Sequence, residues 1–275
     1  MKKLLALVSL LAILALAACG GGDDSTSEND NTIKVGASSV PHAEILEEAK
    51  PLLEEEGITL EIEQYEDYVL PNDDLASGEI DANYFQHIPY LEQTIADTGY
   101  ELTEIGGIHI EPIGVYSKDF TSIEDVPEGT EVIMSNSVPD HGRILSLFEA
   151  EGLIKLDENI NKDSATVEDI VENPKNLKFS PDSNPELLPS LYESEENVLV
   201  VINTNFAIQA GLNPQEDALF VEGDDSPYVN VIAVKEEDKD DEALNKLVDV
   251  LHSEEIQNFI KEEYKGAVVP VNGKE

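Results

Sequence analysis

From Thr32 onward, short runs rich in Val and Ile alternate with segments of helical periodicity, and this alternation restricts the fold more than any other feature of the chain. Strands are predicted at Thr32–Ala37, Leu60–Tyr65, Ile108–Ser117, Glu131–Met134, Asn176–Ser180, Val198–Asn203 and Val229–Lys235. Helices are predicted at Ala43–Glu56, Pro89–Asp97, His141–Glu151, Thr204–Ala210, Glu242–His252 and Ser253–Lys265. In the first helix Ile45, Leu46, Ala49, Leu52 and Leu53 share one face, Pro51 is expected to kink it, and Gly57 stands where a C-cap belongs, as Gly152 does later. Val198–Ile202 is apolar at every position, as a strand covered on both faces must be. Strands alternating with helices argue for an α/β architecture with mostly parallel sheets. The alternation leaves open whether there is one large sheet or two lobes.

The first 31 residues stand outside this pattern. Lys2 and Lys3 precede an apolar stretch, Leu4–Ala17, which is short for a membrane span and is followed by small residues. The junction Leu16-Ala17-Ala18-Cys19 matches a bacterial lipobox. Residues 1–18 are therefore expected to be a lipoprotein signal peptide, with Cys19 the lipidated mature N-terminus; an ordinary secretory peptide with a chance cysteine is the alternative. Cys19 is the only cysteine, which excludes an intramolecular disulfide. Residues 20–31 have no apolar side chain, so 19–31 reads as the lipidated residue and a flexible tether.

Acidic residues number 59 against 16 basic ones, a formal net charge of −43 that becomes −45 when residues 1–18 and their two lysines are removed. Such a surface excludes binding to a nucleic-acid backbone or to an anionic membrane face. Disorder, the other consequence of a large charge, is excluded by 41 % hydrophobic residues arranged in periodic segments.

Three groups of residues can carry chemistry. Arg143 is the only arginine beside fifteen lysines; it follows the loop Ser135–Gly142 and is expected to open a helix. A guanidinium there can take a carboxylate bidentately, aided by the helix dipole, although a surface ion pair would use the same residue. Tyr84, Phe85, His87 and Tyr90 crowd seven positions, with Tyr65 and Tyr68 upstream. They would line an apolar slot with polar tips, or form a core layer where a strand passes into a helix. Asn203 and Asn205 follow the apolar strand, and Asn230 follows Ser226–Tyr228. Strand ends of this kind hold ligands in open α/β sheets, and an amide can accept from an ammonium or donate to a carboxylate; for Asn205 a turn explains the residue equally well. No nucleophile elbow, zinc-protease, Walker or dinucleotide motif occurs, so no catalytic residue and no cofactor is expected. His42 with Glu44 and His109 with Glu111 pair an imidazole with a carboxylate, but spacing sets no third ligand, and no metal is expected.

The stretches Val40–Ile58, Asp81–Gln93, Val171–Lys178, Val201–Asn230 and Tyr264–Val271 resemble the methionine-binding lipoproteins, the NlpA-type substrate-binding components of methionine ABC importers. The similarity runs from about Ile33 to Val271. It implies a two-lobed, class II periplasmic-binding-protein-like α/β fold, each lobe a sheet flanked by helices. Two crossover segments would lie near Ile110–Pro112 and Asp225–Tyr228, giving one lobe from 32–111 plus 228–271 and another from 112–227. By the same resemblance Arg143 matches the arginine that holds the α-carboxylate, and Asn203 and Asn230 match the asparagines on the amino-acid backbone. Tyr68, Phe85, His87 and Tyr90 match the side-chain pocket.

The implied protein is a monomeric receptor, held by its lipid at the outer face of the cell membrane, that passes methionine to an importer's permease and ATPase subunits. A methionine derivative, a methionine-containing dipeptide or another amino acid is the alternative ligand. A surface lipoprotein that binds metal through His42, His87 or His109, or that adheres, is the alternative class. The resemblance is imperfect at Asn136–Arg143, where Asp140 and His141 replace the usual residues before Gly142-Arg143; Asp140 is expected to neutralise Arg143 in part or to change the preferred ligand. Ser190 stands where an arginine usually follows the Leu-Pro pair, and is read as lobe structure. A zwitterion has no net charge, so the acidic surface is neutral toward it, and its thioether gains from ring edges. The acids are expected on outer faces, where a saline or alkaline exterior would screen them.

Overall fold

The computed structural model describes residues 31–223 and 226–271. The expected signal peptide, Cys19 and nearly all of the tether lie outside these residues, as does Asp225 of the second crossover. No helix among the described residues is long and apolar enough to cross a membrane.

The chain opens with β1 (Thr32–Ser38), a helical turn at Ser39–Ala43, α1 (Glu44–Glu55) and β2 (Thr59–Tyr65). It continues through α2 (Leu70–Ser77), β3 (Ala82–His87), α3 (Ile88–Thr98) and β4 (Leu102–Ile110). A second region follows: β5 (Gly114–Tyr116), β6 (Glu131–Ser135), α4 (Val138–Ala150), β7 (Lys155–Leu156), β8 (Ile170–Glu172), β9 (Lys178–Ser183), α5 (Leu188–Ser194), β10 (Val198–Ile202), α6 (Thr204–Gln209), α7 (Pro214–Asp217) and β11 (Phe220–Val221). The chain then returns as β12 (Val229–Lys235), α8 (Glu242–Leu251), α9 (Glu254–Tyr264) and β13 (Val269–Pro270).

Two main sheets result, ordered β13-β4-β12-β3-β1-β2 and β11-β5-β10-β6-β9. Each is covered by helices, and they form the two lobes. The expectation of mostly parallel sheets is corrected. β1 runs parallel to β2 and β3, and β6 runs parallel to β9 and β10, but β12 is antiparallel to both of its neighbours and β5 is antiparallel to β10 and β11. The cause is the crossing: a chain that leaves one sheet and comes back re-enters it from the opposite end. The single strand expected at Ile108–Ser117 is likewise two, because Glu111-Pro112-Ile113 separates β4 from β5 and sends them to different sheets. Pro112, with no backbone N–H, suits the break.

Packing explains the elements. In α8, Leu244, Leu247, Val248 and Leu251 recur at helical spacing and are buried, while the Asp241 side chain accepts the N–H groups of Ala243 and Leu244 at 2.9 and 3.0 Å. Ser253 caps α9 in the same way, which is why two helices form where one long apolar pattern would run on. Gly57 and Gly152 have φ of +77° and +70°, the left-handed geometry expected just past a helix end. Helix α1 runs unbroken through Pro51. The apolar strand β10 is covered on both faces: Leu199 and Val201 join the core shared with Phe148, whereas Val200 and Ile202 join the one shared with Phe206.

Helix α4 starts three residues before the expected position, with Pro139 in its first turn, so Arg143 stands in the second turn and not at the helix mouth. Gly142 lies against the segment that follows β7: a Cβ there would press into the backbone carbonyls of Lys162 and Asp163. Gly142→Ala is therefore expected to destabilise the protein by about 1–3 kcal/mol, measured by chemical denaturation; an unchanged midpoint would show that the segment yields freely.

The acids do lie mostly outside. Among the described residues only two carboxylates are buried, Glu111 and Asp140, and both face the same cavity.

Candidate functional site

That cavity lies between the lobes. Tyr68, Phe85, His87, Tyr90, Arg143, Asn203 and Asn230 all line it, together with Gln86, Glu111, Asp140, Thr204 and Asn205. Residues far apart in sequence meet there because β3, β10 and β12 present their ends to the gap, and α4 leans its second turn into it.

Arg143 is buried, which removes the surface ion-pair reading. Its Nε donates to Glu222 Oε2 at 2.8 Å, and Nη2 donates both to that oxygen and, at 2.5 Å, to the backbone carbonyl of Glu111. Tyr228 lays its ring beneath the guanidinium, 4.6 Å from centroid to Cζ. Asp140 approaches Nη1 no closer than 4.0 Å. Asp140 thus acts on the Arg143 charge only through this longer contact, and Glu222 is the direct partner. Burial works against the guanidinium's charge, but Glu222 overrides it and raises the pKa. Nothing near Glu222 in the sequence marks it, because its partner lies 79 positions away.

Asp140 has other work. Its Oδ1 accepts from His87 Nε2 at 3.0 Å and its Oδ2 from Asn203 Nδ2 at 3.1 Å. The His87 tautomer is set by the start of α3, where Nδ1 accepts the Tyr90 N–H at 3.2 Å and leaves the proton on Nε2. Burial alone would raise the Asp140 carboxyl; His87 and Arg143 outweigh it and bring the pKa to about 2. Asn203 therefore uses its amide N–H₂ on Asp140, and its Oδ1 is buried with no hydrogen-bond partner. A buried acceptor without a donor is costly, and a ligand N–H would satisfy it. Asn230 takes the His42 Nε2–H on its Oδ1 at 3.1 Å.

The aromatic residues form one wall. Tyr68 packs 6.0 Å from Phe85 and 5.9 Å from Tyr90 between ring centroids. Tyr68 donates to Asn205 Oδ1 at 2.6 Å, and Tyr90 donates to the Tyr68 carbonyl at 2.9 Å. Burial pushes the Tyr68 hydroxyl well above its ordinary pKa, so it stays a donor. Tyr65, considered with this group, hydrogen-bonds Asp74 and does not line the cavity.

Behind Glu111 lies a second buried cluster. Glu111 Oε1 is 2.8 Å from His109 Nε2 and 3.2 Å from His42 Nε2, and the Tyr84 hydroxyl meets His109 Nδ1. Ligand-type atoms of His42, His109 and Glu111 lie within 4.8 Å of one another, a donor set of zinc-binding type. Hydrogen bonding fits them better. His42 Nε2 already faces Glu111 and Asn230, and a metal there would move the ring proton to Nδ1, which has no partner.

The cluster therefore offers one guanidinium, two carboxylates, an unsatisfied amide oxygen and an aromatic wall. It suits a small molecule with an anionic end, an ammonium and an apolar tail. Comparison with known proteins agrees in kind. A family model described as NlpA lipoprotein matches residues 33–272. The methionine-binding lipoprotein MetQ of Bacillus subtilis is 46 % identical over 276 residues, covering 99 % of this chain and 100 % of its own. The D-methionine-binding lipoprotein MetQ of Salmonella typhimurium is 40 % identical over 269 residues, 98 % of this chain and 97 % of its own. Among solved structures, a nutrient binding protein from Burkholderia cenocepacia bound to methionine is 40 % identical, with a TM-score of 0.82 over 86 % of this chain and 99 % of that one.

Proposed function

The chain belongs to the NlpA lipoprotein family, and from that premise we propose that it captures methionine between its lobes and delivers it to an ABC importer. Arg143 binds the α-carboxylate through Nη1, the guanidinium nitrogen that Glu222 leaves open. Asn203 and Asn230 bind the amino-acid backbone, and Tyr68, Phe85, His87 and Tyr90 enclose the thioether. The lobes comprise 32–111 plus 228–271 and 112–227. Cys19 carries the lipid that holds the receptor at the extracytoplasmic face, 19–31 tether it, and it acts as a monomer on the permease and ATPase subunits. Binding and release, without turnover, are the whole of its task.

The observation that carries this reading is the pairing of Arg143 with the unsatisfied Asn203 Oδ1 in one cavity, an anion acceptor and an ammonium acceptor over an aromatic wall. The test is titration calorimetry on the domain from Thr32, stripped of ligand by unfolding and refolding. L-Methionine is expected to bind one to one and, at a hundred times its Kd, to add about 2.7 kcal/mol of stability. D-Methionine, methionyl dipeptides and other amino acids are titrated alongside. Heat from another amino acid or from zinc, with none from methionine, would sink the proposal.

A further inference from the structure

Glu111 does more than line the cavity. It is the first residue past β4, at the point where the chain leaves one sheet for the other. Its Oε1 accepts from His109 of β4 at 2.8 Å, and His42, in the turn after β1, brings its Nε2 to 3.2 Å while bonding Asn230. Its Oε2 receives the backbone N–H of Asn205 at 3.0 Å, from the first turn of α6, which follows β10 of the second sheet. The backbone carbonyl of the same residue receives Arg143 Nη2. One buried residue at the crossover is thus hydrogen-bonded to both lobes, and two of its partners, Asn205 and Arg143, line the cavity.

Two N–H groups, from His109 and Asn205, hydrogen-bond this carboxylate and the His42 ring stands 3.2 Å from it, so the ionised form is the one the geometry serves. The imidazole contacts lie within the first lobe. The Asn205 contact joins the lobes. Asn205 also accepts from Tyr68 across the same gap at 2.6 Å, so the first turn of α6 is held twice.

We propose that Glu111 is a positioning residue for ligand capture, a carboxylate held ready by His42 and His109 that fastens the Asn205 amide of the opposite lobe on closure. Asn203 and Asn205 are thereby brought over the ligand as one rigid turn. The inference rests on the proposed function, and it makes Glu111 a determinant of how long the ligand stays and not of whether it is recognised.

The test is Glu111→Gln, which preserves the shape but sets an N–H₂ against either the Asn205 N–H or the His109 N–H. The L-methionine dissociation rate, by stopped flow, is expected to rise at least about tenfold, with an association rate within about threefold of wild type and a ligand-free melting temperature within a few degrees. A dissociation rate within twofold of wild type overturns the proposal. Hydrogen exchange of the wild-type Asn205 amide needs no variant: exchange is expected to slow on adding L-methionine, and equal exchange with and without it also overturns the proposal. Wild-type binding of L-methionine, measured first, separates failure of this inference from failure of the functional reading.

Discussion

Arg143→Ala is expected to weaken methionine binding by about a hundredfold or more, which corresponds to roughly 3 kcal/mol, the range for removing one member of a buried, hydrogen-bonded charge pair. Two losses add. The ligand carboxylate forfeits its cation, and Glu222 keeps a charge met by the Ser226 hydroxyl at 2.9 Å and a long bond from the Ile113 N–H at 3.4 Å. Calorimetry reads the first loss and ligand-free melting the second. Arg143→Lys sharpens the result, because an ammonium cannot serve Glu222, the Glu111 carbonyl and a ligand at once as the planar fork does. A lysine variant that binds as tightly as wild type would remove the carboxylate role from this residue.

Acidification is expected to destabilise the protein from about pH 6.5 downward. The imidazoles of His42 and His109 are lowered from 6.5 to about 4 and about 3, burial being the main cause for each; the Glu111 charge opposes it at His42. At these two rings the unfolded chain thus takes up protons as pH falls through 6.5, and the folded chain does not until about 4. Stability is full above pH 6.5 and is lost between there and pH 4, on the order of 3 kcal/mol per imidazole. Glu111 has the opposite sign: burial raises its pKa, so its protonation as pH falls relieves part of the loss. Melting temperatures from pH 7.5 to 4 in about 1 M salt, where surface repulsion is screened within roughly 3 Å, provide the measurement. His109→Gln should flatten the fall. A melting temperature constant over that window would mean that the imidazoles are not held neutral by the fold.

Much of this site was legible before any coordinates. A lone arginine in a lysine-rich chain, an aromatic cluster and asparagines at strand ends each mark themselves by local composition; the family resemblance selects seven residues from them that all line one cavity, whereas Tyr65 and Tyr84 of the same cluster do not. The residues that tune the site did not show. Glu222 is one acid among 59, and only the return of β11 beside β5 places it at Arg143. Glu111 was visible as a neighbour of His109, but His42, its other imidazole partner, reaches it from the turn after β1. The strand β3 escaped for a related reason: Ala82–His87 is buried at every position and interrupted by Asn and Gln, which satisfy one another through Asn72, so neither alternation nor an apolar run reveals it. Sheet direction was misread because alternation reports neighbours in sequence, whereas β12 enters between β3 and β4 from the far end of the chain.

That insertion has a consequence for how the molecule is made. The second sheet is built from one continuous stretch, Gly114–Val221, and can close as soon as that stretch is available. The first sheet cannot. Until Val229–Lys235 arrives, β4 on one side and β3-β1-β2 on the other have no strand between them. A chain emerging from the ribosome or threading through a secretion pore N-terminus first would therefore remain open in its first half until Val229–Lys235 had appeared. An export machine that accepts only unfolded substrates would receive one, and a truncated product would present two raw sheet edges to the proteases that clear failed secretion.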